Sequence, residues 1–217
     1  MYGYGLFLNK DTFYQIKNEL DEDEYLIKDT STDEKIYLIL DKKPSVNLLN
    51  KLNVDENDVI SDFYFKYFVK ELSEKELSIT SAESLTGGLF QSSLTEIPGV
   101  SKVFFGGIVS YSNEIKNKLL KVPQSVINQD GVVSENTVYF MAKGSKELFD
   151  SDIAISFSGV AGPDKLENKY PGTVWIGIID QNNHFFKLEL ALDDNLSRNE
   201  IRNESVFYGI KKLVEII

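Results

Sequence analysis

From Leu77 onward the chain alternates short apolar runs of strand character with amphipathic runs of helical period, and this alternation constrains the fold more than any other feature. Leu77–Ser81 reads as a strand, Gly87–Ile97 as a helix stopped by Pro98-Gly99, and Val103–Tyr111 as a β-rich run. Asn113–Leu120 and Ser134–Phe149 read as helices. Asp152–Ser158, Thr173–Ile179 and Phe185–Leu192 then read as strands, the last two joined by a hairpin, before a closing helix at Ser197–Ile216. That helix places Ile201, Phe207, Ile210, Leu213, Val214 and Ile217 near one face. The expected fold class is α/β: a three-layer α/β/α sandwich on a largely parallel, mixed sheet. Residues 1–75 break the pattern. They read as a small α+β segment of unknown role, with strands at Tyr4–Leu8 and Lys35–Leu40 and helices near Thr12–Leu20, Ser45–Leu52 and Asp62–Leu72. The polar run Leu72–Glu76 is the expected linker, so the expected domains are 1–75 and 76–217. At 217 residues and 42% hydrophobic content, the chain is long enough for one packed domain and a smaller one.

Where the strand at Leu77–Ser81 hands over to its helix, the sequence is Ser81-Ala82-Glu83-Ser84-Leu85-Thr86-Gly87-Gly88. Glycines let backbone N–H groups approach a ligand, and the open N–H groups of a first helical turn favour an anion. A capped helix start without a ligand has the same appearance. The rest of the composition narrows the chemistry. A net charge of −11 without a basic run argues against binding nucleic acid through its phosphates. No cysteine is present, which removes thiolate nucleophiles and cysteine-ligated zinc, and no apolar run approaches the length of a membrane span. The start of the chain lacks a secretion-signal layout, and a cytoplasmic location is expected. The single histidine, His184, follows Gln181-Asn182-Asn183 and reads as a strand-end residue rather than a base. A nucleophile in this chain would be a hydroxyl, activated by lysine or a carboxylate. Neither a metal nor a cofactor is expected.

Several further segments of the α/β region stand out: the Pro98-Gly99-Val100-Ser101 turn, the Tyr111-Ser112-Asn113-Glu114-Ile115-Lys116 run, the Gly131–Glu135 turn, the Ala161-Gly162-Pro163-Asp164 loop and the strand opening Gly172-Thr173-Val174-Trp175. Together with the Ser84–Gly88 turn, and in this order, they resemble the C-terminal domain of the competence/damage-inducible CinA family over about Ile79 to the C-terminus. That family includes nicotinamide-nucleotide amidases, which hydrolyse nicotinamide mononucleotide to the acid and ammonia. The resemblance implies that Ser101, Tyr111 and Lys116 form the amidase centre, with Ser84 and Thr86 near the substrate; Ser101 can then be the nucleophile if neutral Lys116 takes its proton, with Tyr111 relaying or orienting that proton. Thr86, Gly87 and Gly88 are candidates for the phosphate, and Gly162 and Asp164 for the ligand in the following loop, Asp164 at a ribose hydroxyl or the ring charge. Arg198 and Arg202, one helical turn apart, are candidates for the phosphate or for pairing with Asp193, Asp194 or Glu200. The expected partners are a small-molecule nucleotide and further copies of the chain, with no nucleic acid and no membrane. The segment Asp164–Pro171 departs from the family, which typically carries a glycine pair after the aspartate. Another path for this loop is therefore expected. A binding or regulatory domain without turnover is the alternative reading.

Overall fold

The computed structural model describes residues 2–20, 25–29 and 35–217. It forms two compact units, Met1–Phe68 with Val214–Ile217, and Val69–Leu213. In the first, β1 (Tyr4–Asn9), α1 (Lys10–Ile16), β2 (Tyr25–Asp29), β3 (Lys35–Leu40), α2 (Val46–Leu52) and β4 (Ile60–Ser61) build an antiparallel sheet of order β2-β3-β1-β4. Alternate strand residues Leu6, Leu8, Ile36 and Leu38 point to one face and bury Phe13 of α1 and Leu49 of α2 against it. Ser45 starts α2 by accepting the Leu48 N–H on its hydroxyl. The short strands β2 and β4 are not evident in the sequence. The helix expected at Asp62–Leu72 is α3 (Phe63–Glu74), which runs through part of the stretch expected to be a linker. The chain turns only at Glu76, with φ +54°.

The second unit contains β5 (Ile79–Glu83), α4 (Leu89–Thr95), β6 (Phe104–Val109), α5 (Asn113–Leu120), α6 (Gln124–Gln129), α7 (Glu135–Phe149), β7 (Ile153–Gly159), β8 (Thr173–Ile179), β9 (Phe185–Ala191) and α8 (Arg198–Ile216). The sheet order is β6-β5-β7-β8-β9. Strands β6, β5 and β7 are parallel, and β8 and β9 add antiparallel. The fold is therefore the expected α/β sandwich on a mixed sheet. Strand β7, buried along nearly its whole length, shows why there are three layers. On one face Ser156 donates its hydroxyl to the Val138 carbonyl of α7 at 2.6 Å. On the other, Phe157 meets Phe90 of α4 at 5.5 Å between ring centroids and lies where any side chain at Gly209 of α8 would stand. Helix α8 buries Ile201, Val206, Ile210, Leu213 and Val214, so Val206 takes the fully buried position and Phe207 stays half-buried.

Parallel pairing brings the carboxyl ends of β5, β6 and β7 to one edge, with Glu83 opposite both Val109 and Phe157. The loops leaving that edge carry Ser84, Tyr111 and Gly162. Ser101 lies at the opposite edge. It sits in a 3-10 turn, Val100–Lys102, that leads into β6, and the carbonyl of Val103 accepts the N–H of Ile79, the first residue of β5. At about 3.3 Å per residue, a five-residue strand separates the two edges by roughly 15 Å.

Candidate active site

Lys116, at the end of the first turn of α5, is 1% exposed despite its charge. Its Nζ donates to the carbonyl of Ser110 at 2.8 Å and to Oγ of Ser84 at 3.0 Å. Two local features bring the lysine there. Ser112 caps α5 through the Ile115 N–H and fixes the helix start, and the Ser110 N–H bonds to the Glu83 carbonyl, continuing the β5–β6 pairing into the loop. Burial pushes the Lys116 ammonium down to about 8, and the carboxylate of Glu167 acts against that shift. Ser84 and Lys116 open on a cavity of about 390 Å³, which Leu85, Tyr111, Ser158, Asp164 and Arg198 also line. A serine hydroxyl beside a lysine with a lowered pKa can serve as a nucleophile with a base in reach.

The other residues singled out in the sequence fall on both sides of the expectation. Arg198 reaches across the cavity mouth, donating to the Gly162 carbonyl at 2.7 Å and to the Tyr111 hydroxyl at 2.6 Å. Among the described residues no carboxylate pairs with it, so the alternative bridges from Arg198 to Asp193, Asp194 or Glu200 do not form. Ser101 is exposed and does not reach Lys116; Ser84 occupies the position expected of it. Ser101 precedes a strand, whereas ligand loops in α/β sheets follow strands. The expected phosphate cradle at Thr86-Gly87-Gly88 is occupied from within. The buried carboxylate of Glu83 accepts the N–H groups of Gly88 at 3.0 Å, Phe90 at 3.1 Å and Gln91 at 3.0 Å. The first turn of α4 thus already holds its anion. Thr86 is buried, and its carbonyl accepts both Nε and Nη2 of Arg202, which holds this turn on α8 instead of facing the cavity.

The segment Asp164–Pro171 takes a defined path. Leu166 and Lys169 exchange backbone hydrogen bonds around Glu167 (φ +51°) and Asn168 (φ +60°), a two-residue hairpin turn with both central residues left-handed. Positive φ angles thus fall on Glu167 and Asn168 rather than on Lys165 and Leu166. Lys165 stacks its ammonium on the Tyr170 ring at 3.6 Å. Glu167, which sequence reasoning does not single out, accepts the Val132 N–H on both carboxylate oxygens at 3.0 Å and lines the cavity. Gly131 beneath it adopts φ +79°, a conformation that strains any other residue, and a side chain there would also push the Glu167 carboxylate aside. Its only sequence signal is the glycine itself.

Among the described residues no group of three or more His, Cys, Asp or Glu side chains could hold a metal ion, and no helix is long and apolar enough to cross a membrane. His184 ends the β8–β9 turn, its Nδ1 3.0 Å from Asp180 Oδ2.

An α/β sandwich with a serine–lysine pair at the carboxyl edge of its parallel strands defines the class. The family model of the CinA C-terminal domain matches residues 63–217, and the chain belongs to that family. A protein of Bacillus mycoides (strain KBAB4) named as competence-damage inducible is 45% identical over 159 residues, and one of Geobacillus sp. (strain WCH70) 50% over 153. These alignments take in 71% and 69% of this chain but only 38% and 36% of the two relatives, so the chain spans less than two fifths of their length. Among solved structures, the competence/damage inducible protein CihA from Agrobacterium tumefaciens is similar with a TM-score of 0.68 at 30% identity, covering 70% of this chain and 93% of that one. A CinA superfamily protein from Klebsiella pneumoniae gives 0.67 at 27% identity, covering 70% and 94%.

Proposed function

We propose that the chain hydrolyses the carboxamide of nicotinamide mononucleotide, with Ser84 as nucleophile and Lys116 as base. The observation that carries this reading is the 3.0 Å contact between Lys116 Nζ and Ser84 Oγ, made by a buried lysine whose pKa is lowered to about 8. Neutral Lys116 accepts the Ser84 hydroxyl proton as Oγ attacks the carboxamide carbon. The tetrahedral oxyanion needs donors. The backbone N–H of Leu85 follows the nucleophile, and no acceptor among the described residues engages it. Lys116 then gives its proton to the departing nitrogen, which leaves as ammonia, and the acyl group remains as an ester on Ser84. A water that loses its proton to Lys116 attacks this ester and frees the acid. The carbonyl of Ser110 holds the amine in place through the cycle.

Arg198, unpaired with any carboxylate among the described residues and braced by Tyr111 and Gly162, presents a planar guanidinium suited to phosphate. Tyr111 is in this reading a positioning residue for Arg198 rather than a proton relay. Asp164 lines the same cavity and is the candidate for a ribose hydroxyl. The test is ammonia release by the purified protein from nicotinamide mononucleotide, the riboside and free nicotinamide. Release from the mononucleotide, with the riboside at least about tenfold poorer in kcat/KM, is the expected result. Tight binding of the mononucleotide without ammonia would instead establish a binding domain without turnover.

A further inference from the structure

The hairpin turn that carries Glu167 is clamped to the frame of the cavity. Val132 is held from both sides: its N–H by the Glu167 carboxylate, and its carbonyl by the Ser158 hydroxyl at the end of β7. The preceding carbonyl, of Gly131, accepts the hydroxyls of Ser134 at 2.9 Å and Thr137 at 2.7 Å at the start of α7. Glu167 therefore stands at a fixed point of the cavity wall, its charge only partly offset by Lys169 at 3.7 Å. A scissile carboxamide on Ser84 must approach Oγ to about 3 to 3.5 Å. The ring bonded directly to that carboxamide then lies in the same cavity as Glu167.

We infer that Glu167 is a specificity-determining residue that selects ligands whose carboxamide-bearing ring is positively charged. This rests on the amidase reading of Ser84 and Lys116. A pyridinium ring entering beside a protonated lysine meets repulsion, and Glu167 is a fixed anion in the cavity that counters it. Once bound, the ring cation neutralises Glu167 and disfavours the protonated form of Lys116. The ligand that carries the charge thereby promotes the neutral amine its own hydrolysis needs. A neutral ring of the same shape would leave the field of Glu167 uncompensated and the lysine more protonated.

The test compares nicotinamide mononucleotide with its neutral-ring isostere, benzamide riboside 5′-monophosphate, by calorimetry on the full chain carrying Ser84→Ala, which prevents turnover. The cationic ligand is expected to bind about tenfold more tightly than the neutral one. Adding Glu167→Gln keeps an oxygen acceptor for the Val132 N–H, removes the charge, and is expected to erase the preference while changing affinity for the neutral ligand less than about twofold. A preference that survives Glu167→Gln would overturn the inference. An equal loss of both ligands, or binding of neither to the Ser84→Ala chain, would do the same. Ammonia release by the unmodified chain is read separately: its absence refutes the amidase reading, while the binding preference still decides the role of Glu167.

Discussion

At the scale of single residues, Lys116 concentrates the chemistry and a cost in stability. Its ordinary pKa of 10.5 falls to about 8 in the folded chain through burial. A base acts when neutral, so kcat/KM is expected to rise about tenfold per pH unit below 8 and to level off above it. A flat profile between pH 6 and 9 would remove the lysine from that role. The same shift has a linked effect on folding. Between about 8 and 10.5 the unfolded chain binds more protons at this position than the folded one, so stability rises with pH through that window; below 8 both states are protonated and the penalty is present in full. Lys116→Met is therefore expected to stabilise the chain at pH 7 by about 2 kcal/mol, less than the full shift because the Ser110 carbonyl loses its donor. Denaturant midpoints at pH 7 and pH 10 check this, with the gain shrinking at the higher pH. The burial of Lys116 is not legible in the sequence, where a lysine on a short polar helix reads as solvated. Glu167 is equally silent, because its partner Val132 lies 35 residues away and the contact leaves no periodic trace.

The behaviour of α4 is decided at the scale of elements. The glycine-rich turn before it was legible as an anion site, but the anion is the chain's own Glu83, fully buried at the end of β5. Removing it with Glu83→Ala leaves three helix N–H groups without their acceptor. A loss of about 2 to 4 kcal/mol is expected, read from the shift in urea midpoint. A cost below about 0.5 kcal/mol would mean that water replaces the carboxylate and that the turn is open to ligands after all. Most elements of the second unit could be read from apolar period, since β8 and the helices α5 and α7 lie at or within a residue of the ranges their sequences suggest. The short helix α6 could not, because only Ile127 is buried from it and a single apolar contact makes no pattern. Strand β2 is missed for a related reason: five residues give too little alternation to stand out.

For the whole molecule, the parallel pairing of β5, β6 and β7 explains both what the sequence yielded and where it misled. Alternation gave the sandwich, and the rule that ligand loops follow strands points to Ser84, Tyr111 and Gly162 at one edge. Ser101 leads into β6 and falls at the other edge, away from Lys116, a placement that the order of motifs along the chain does not reveal. The net charge of −11 also acts at this scale. An anionic nucleotide approaches against a repulsive field, so raising salt from 10 to 150 mM is expected to lower KM by up to about threefold. A KM that instead rises with salt would show that the local pull of Arg198 outweighs the field of the whole chain. The pairing of Ser84 with Lys116 is tested most directly by steady-state ammonia release from nicotinamide mononucleotide with Ser84→Ala and Ser101→Ala measured side by side. The expected result is a kcat lowered by about a thousandfold or more for Ser84→Ala and within about twofold of the unmodified chain for Ser101→Ala. Full activity without the Ser84 hydroxyl, or its loss without that of Ser101, would contradict it.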